Sequence, residues 1–186
     1  CVESCAFPFG IVQMISTKTR GVGVNRNLAL EAADAEYALF ADDDVTYFDG
    51  MPQRVLAEFE ARPDADVLIF GMDYTKEGTV IERRRPGDQR RHLWNSMRFG
   101  AASMAVRLQA VRSCGIHFST YFGGGCLYGA GEDNLFLRDC FTNGLRVYST
   151  NTVLGVCRKD ASTWFSGCNE KYFYDKGALM TYLFPH

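Results

Sequence analysis

The chain has 186 residues, enough for one domain with a sizeable core. Its 47% hydrophobic and 23% charged residues exclude a disordered or collagen-like polymer, and a net charge of −2 gives no reason to expect nucleic acid as a partner. No apolar run is long enough to span a bilayer, and no signal peptide is recognisable.

The seven cysteines match no zinc-site spacing, and the three histidines are scattered. Cys140 and Cys157 sit in apolar surroundings, where a free thiol packs as a small hydrophobe. This usage implies a reducing compartment and a cytoplasmic location.

In chain order, residues 11–16 read as a short strand and Thr17–Gly21 as a polar loop. Val24–Ala33 follows as a helix. Gly21-Val22-Gly23 lacks the third glycine of a dinucleotide fingerprint, yet a glycine loop opening a helix presents N–H groups to a phosphate. Glu36–Asp42 is expected as the central strand, buried on both faces as in a parallel α/β sheet. It runs into three carboxylates, Asp42, Asp43 and Asp44. Adjacent acids repel unless a cation or a set of donors is bound, and ligands of such sheets bind beyond the strand ends. An acidic turn with no ligand is the alternative.

Gly50–Arg62 predicts a helix with Val55, Leu56 and Phe59 inward, closed by Pro63, and Asp66–Gly71 a second buried strand. The alternation argues a right-handed α/β layer. Met72–Tyr74 and Thr79–Arg84 flank a turn at Lys76-Glu77-Gly78. Residues 83–92 carry five arginines and read as a solvated loop, or as an arm for a phosphorylated acceptor or anionic lipid heads.

Residues 101–106 form a strand and Arg107–Cys114 a helix stopped by Gly115. Phe118–Gly131 is a glycine- and aromatic-rich loop around Gly123-Gly124-Gly125. Gly131-Glu132-Asp133 opens a helix ending at Asn143-Gly144, where acids in the first turn suit the helix dipole. Arg146–Ser149 and Thr152–Val156 read as two strands, and Glu170–Leu183 as a last amphipathic helix. No repeat or linker interrupts the chain, so residues 1–186 are expected to form a single domain.

Three of these stretches together resemble family 2 glycosyltransferases of the GT-A fold: Gly21-Val22-Gly23-Val24-Asn25-Arg26-Asn27, Ala35–Asp44, and Gly131-Glu132-Asp133-Asn134-Leu135-Phe136. The resemblance covers most of residues 11–150 and is closest to bacterial enzymes of capsule or exopolysaccharide synthesis. It implies a GT-A-type (Rossmann-like) mixed sheet flanked by helices, and a metal-dependent, inverting transfer of a sugar from a nucleotide-sugar donor, a UDP-sugar first among them. The acceptor would be a saccharide or lipid-linked, and peripheral association with the inner membrane face or oligomer formation would be compatible with it.

By the same resemblance, Asp42 contacts the nucleotide ribose, and Asp44, with Asp43, holds Mn2+ or Mg2+ in an Asp-x-Asp motif. Such an ion neutralises the charge that develops on the departing diphosphate. Arg26 contacts the diphosphate or pairs with the acid triplet. Asp133 is the general base, with Glu132 beside it to raise its pKa. Gly123–Gly125, Gly124 at their centre, line the sugar pocket, and Arg158, Lys159 and Trp164 are candidates for diphosphate binding and acceptor stacking.

The sequence departs from the family before Gly21, where the strands that build much of the base pocket are expected. The chain therefore reads as a piece of a longer protein. Two competing readings follow: a non-catalytic sugar-nucleotide or glycan-binding remnant of the same fold, and a nucleotidyltransferase.

Overall fold

A computed structural model describes residues 1–8, 10–159 and 167–185. Its core is a mixed sheet in which β5 (Val67–Lys76) and β9 (Val147–Arg158) lie parallel at the centre. β8 (Met104–Arg107) runs antiparallel to β5, and β3 (Tyr37–Leu39) antiparallel to β8. On the other side, β4 (Val45–Tyr47) runs antiparallel to β9. The order is β3-β8-β5-β9-β4, with β6 (Thr79–Arg84) paired to β5 and β7 (Gln89–Arg90) to β9.

Strand β5 holds the centre because its sequence is apolar at every position from Val67 to Phe70, and the first six residues are buried. Alternation sends Val67 and Ile69 to one face and Leu68, Phe70 and Met72 to the other. On the first face they meet α1 (Val22–Ala32) through Leu30, α4 (Leu108–Ser113) through Val111 and α5 (Glu132–Thr142) through Phe136, Leu137 and Cys140. On the second they meet α2 (Met51–Ala61) through Val55 and Phe59. Phe59 stacks on Tyr37 with ring centroids 4.1 Å apart. A fully buried side chain of this kind contributes about 1.5–3 kcal/mol. α6 (Glu170–Leu183) packs Leu179 and Leu183 on Leu135 and Phe122, forming a smaller third cluster.

Several expectations are corrected. β3 is an edge strand of three half-buried residues, not the central strand, and its neighbour is antiparallel. It is short because Phe40 already bonds back to the Met104 carbonyl and the chain then turns off the sheet at the acids. Residues 11–16 do not join the main sheet: β2 (Gly10–Ile15) pairs only with β1 (Val2–Phe7), in an exposed two-stranded ribbon. Met72–Tyr74 is the continuation of β5, and residues 147–158 form one strand that absorbs the polar Thr150-Asn151-Thr152 stretch by shifting register. Leu56 is exposed, since i, i+4 spacing places only Val55 and Phe59 on the packed face.

The arginine-rich segment is not a solvated loop. Arg91 is buried: its Nε donates to Ser149 Oγ at 2.8 Å and its guanidinium also bonds the Pro86 carbonyl. Arg84 donates to Glu82 and Tyr74, and Arg85 pairs with Asp73 at 2.7 Å. These arginines fasten β6 and β7 to the sheet.

Candidate active site

The acid triplet lies where the chain crosses from β3 at one end of the strand order to β4 at the other, over residues 40–44. Val45 N–H returns to the Asp42 carbonyl at 3.3 Å, closing a tight turn that spreads the three carboxylates. Tyr47 supports the crossing from below, its hydroxyl 3.2 Å from the carbonyls of Phe40 and Ala102. Burial pushes that phenol up to about 12, so it remains a donor.

The second acidic corner comes from the N-terminus of α5. Gly131 caps it with φ 127°, and a Cβ there would come within 2.7 Å of Leu179, so the corner requires glycine. α1 brings the third component. Its Gly23 faces Ser119 so closely that a Cβ would lie 2.1 Å from the Ser119 carbonyl oxygen. Asn27 then clamps the loop in both directions: its Nδ2 donates to the Phe118 carbonyl at 2.9 Å, and its Oδ1 accepts from Phe118 N–H at 2.8 Å.

These contacts deliver Arg26 between the two acidic corners. One guanidinium nitrogen donates to Asp42 at 2.8 Å, and the other to Asp133 at 2.8 Å and to Glu132 at 3.2 Å. The guanidinium lies 5.2 Å over Phe118, which stacks on Phe136 at 4.3 Å with Phe40 edge-on to both. Burial pulls the Arg26 pKa down, but Asp133, Asp42 and Glu132 outweigh it and hold the group above its usual value. Arg26 is thus the ion-pair partner of Asp42, while of the two residues that follow Asp42, Asp43 is exposed and Asp44 half-buried.

Asp133 is the perturbed acid. Burial first, then repulsion from Glu132, raise its pKa to about 7, against the opposing pull of Arg26. A group poised there both accepts and returns a proton near neutrality. A cleft of about 1140 Å³ runs along the whole constellation, lined by Thr17, Arg20, Asn25, Arg26, Asp42–Asp44, Gly124, Gly125, Glu132 and Asp133.

Of the three glycines, only Gly124 and Gly125 face this cleft. Gly123 is buried, its φ of 107° letting its N–H reach the Tyr128 carbonyl at 2.9 Å. Gly124 gives its carbonyl to the first turn of α1, through Val22 N–H at 3.0 Å. Arg158 and Lys159 do not line the cleft: Arg158 N–H bonds the Asp44 carbonyl, and Lys159 Nζ sits 4.2 Å over Tyr74 and pairs with Glu82. Trp164 lies outside the described residues.

A family model described as glycosyl transferase family 2 matches residues 3–122. The chain belongs to glycosyl transferase family 2. No curated protein matches it. Among solved structures, S. aureus TarS 1–349 in complex with UDP-GlcNAc superposes with a TM-score of 0.67 at 19% identity, covering 90% of this chain and 48% of that one. The same protein in complex with UDP gives 0.62 at 20%, covering 88% and 44%. The chain thus spans under half the length of the structures it matches, and the likeness shows the fold: a family 2, GT-A-type mixed sheet with helices on both faces.

Contacts that the sequence did not single out complete the site. Gly100 approaches so closely that a Cβ there would meet Asp133 Oδ2 at 3.3 Å. Asn134 Nδ2 donates to the Met97 carbonyl at 2.6 Å. Asp175, buried on α6, accepts from Gly129 N–H at 2.8 Å and fixes the end of the glycine loop. None carries a periodic or spacing signal, because each contact joins segments far apart in sequence.

Proposed function

We propose that this chain carries the catalytic part of an inverting, metal-dependent glycosyltransferase that takes a sugar from a UDP-sugar and delivers it to a saccharide or lipid-linked acceptor. The carrying observation is Arg26, whose two guanidinium nitrogens join Asp42 to Glu132 and Asp133 and so hold the acid turn and the general base on one cleft wall. TarS supports the donor class, since it was solved with UDP-GlcNAc and with UDP. A role in cell-surface polysaccharide synthesis accords with this pairing of donor and acceptor.

In this reading the acceptor hydroxyl attacks the anomeric carbon as the bond from that carbon to the diphosphate oxygen breaks. The hydroxyl proton passes to Asp133, and the electron pair leaves with the nucleoside diphosphate. Single displacement inverts the anomeric centre. Asp133 serves because its raised pKa matches the proton it takes. Arg26 tempers that shift and aims the carboxylate through Oδ1.

A divalent ion fits Asp44 and Asp43. Asp44 Oδ1 is buried without a hydrogen-bond partner among the described residues, and Oδ2 takes only the weak thiol donor of Cys157 at 3.4 Å. Asp43, exposed beside it, supplies a second hard oxygen. Among the described residues no group of three or more His, Cys, Asp or Glu is placed to hold an ion. Two carboxylates plus substrate phosphates suffice for Mg2+ or Mn2+. When bound, the ion supplies charge neutralisation at the leaving diphosphate. Asp42, held by Arg26, is left for the nucleotide ribose.

Thermal unfolding with UDP, with and without Mn2+, tests the site. The midpoint should rise only with both present, and Asp44→Ala should abolish the rise. Asp133→Asn should keep the rise and lose UDP release in the presence of acceptor. No rise with any combination would refute the donor site.

A further inference from the structure

A second cavity, of about 250 Å³, shares Ala130, Glu132 and Asp133 with the large cleft and is otherwise walled by residues 97–100, Gly131, Asn134 and Lys176. The Asp133 carboxyl stands between the two spaces. Its Oδ1 is held by Arg26, which lines only the large cleft, and its Oδ2 lies toward Gly100, which lines only the small one. At about 30 Å³ per water the small cavity has room for a short polyol phosphate or a single ring, not for a nucleotide.

Two cations border this space, Arg98 and Lys176. Most basic side chains near this sheet are committed: Arg84 to Glu82, Arg85 to Asp73, Arg107 to Glu36, and Lys171, on the same helix as Lys176, to Asp175 at 2.7 Å. Among the described residues Arg98 and Lys176 have no carboxylate partner. Their charged ends rest instead over aromatic rings, Arg98 at 5.1 Å from the Phe99 centroid and Lys176 at 5.6 Å from that of Tyr172. Lys176 is half-buried, so an unpaired ammonium there is a real electrostatic asymmetry. The segments leading to the two cations are braced together, since Trp94, on α3 (Leu93–Ser96) just before Arg98, stacks on Phe184 just after α6 at 4.5 Å and 10°. The acids in the same wall are themselves engaged, Glu132 by Arg26 and Gly131 N–H and Asp133 by Arg26 through Oδ1.

We propose that the small cavity receives the acceptor and selects an anionic one, a hydroxyl carried beside a phosphate whose oxygens are held by Arg98 and Lys176 while the hydroxyl meets Asp133 Oδ2. This rests on the reading of Asp133 as the base and adds the chemical class of the acceptor. A neutral sugar would leave both cations unanswered, whereas a phosphate engages both through charge-assisted hydrogen bonds.

The test is a calorimetric titration of the full chain with glycerol 3-phosphate and with glycerol, and of vesicles of phosphatidylglycerol and phosphatidylcholine in equal parts against phosphatidylcholine alone. Glycerol 3-phosphate should bind at least about tenfold tighter than glycerol, and Arg98→Ala/Lys176→Ala should remove about that factor. Binding only to the phosphatidylglycerol vesicles, lost in the same double variant, would support the proposal with the phosphate borne on a lipid headgroup. Asp133→Asn should retain the phosphate-dependent binding. A failed base assignment would therefore show as retained transfer in Asp133→Asn, with this readout unmoved. Equal affinity for glycerol and glycerol 3-phosphate, unchanged affinity in the double variant, or no binding in any arm would overturn the proposal.

Discussion

Arg26 and the arginines of residues 83–92 are the same residue type used in opposite ways. Arg26 stands alone in its helix and gathers three carboxylates from two segments far apart in sequence, Asp42 after β3 and Glu132-Asp133 at the start of α5. The other segment holds five arginines, of which the buried one, Arg91, bonds a serine hydroxyl and carbonyls and touches no acid among the described residues. The difference lies in what each guanidinium balances. Arg91 satisfies neutral acceptors and locks strand β7 to β9, whereas Arg26 neutralises charge that would otherwise open the cleft. A dense basic run therefore marks a fastening here, and a solitary arginine joins the acids of the candidate site.

The largest expected effect follows directly. Arg26→Ala leaves Asp42, Glu132 and Asp133 facing one another and should cost about 3–5 kcal/mol, as breaking buried pairs does, read as a fall in thermal midpoint at pH 8. The loss should shrink toward pH 5, as Asp133 takes up a proton. Next, Arg91→Ala strands neutral acceptors only and should cost about 1–3 kcal/mol, with no pH dependence over the same range. Equal pH profiles for the two variants would erase the distinction drawn between these regions.

A smaller effect belongs to Asp133 itself. Its folded pKa lies above the ordinary 3.8, at about 7, so the folded state binds this proton more tightly than the unfolded chain. Stability from this group is therefore full at low pH and is lost as pH rises from about 4 through about 7. Asp133→Asn should flatten that slope, leaving the variant level with the parent near pH 4 and more stable above neutrality. On the proposed reading of Asp133 as the base, transfer by the parent should rise as pH passes through about 7, where the folded carboxyl ionises. The smallest effect should come from the exposed Arg83→Ala, within about 0.5 kcal/mol, and a larger loss there would mean the segment fastens more than its buried member shows.

Legibility in the sequence followed the range of the interaction. Helices α1, α2, α5 and α6 were readable because glycine or Pro63 punctuation and i, i+4 spacing act within a turn or two. The buried apolar run of β5 announced a strand, and Gly131-Glu132-Asp133 announced a helix start, for equally local reasons. Asp42–Asp44 and Asp133 were marked by their residue types and by resemblance. Misreadings arose wherever a partner was remote. Tyr37–Phe40 looks like a central strand on composition, yet strand order depends on which segments pair, and β8 and β9 outcompete it for β5. Residues 11–15 have strand periodicity and still pair only with their own hairpin partner. Nothing local tied Gly100 or Lys176 to the site: the Gly100 carbonyl accepts from Ser103 N–H and Lys176 lies over Tyr172 one turn away, while their nearness to Asp133 is long-range.

What the sequence determined by itself is the set of elements and the chemistry available to them: a mixed α/β chain, three acids after a strand, an acid pair at a helix start, and a glycine loop between. What the tertiary structure alone decided is who meets whom. The Arg26 bridge, the two cavities sharing Asp133, and the meeting of Arg98 and Lys176 at the smaller one all arise across long sequence separation. Backbone propensity acts over neighbouring residues, while ion pairing and cavity shape depend on distances that exist only after β5 and β9 have brought the rest of the chain around them.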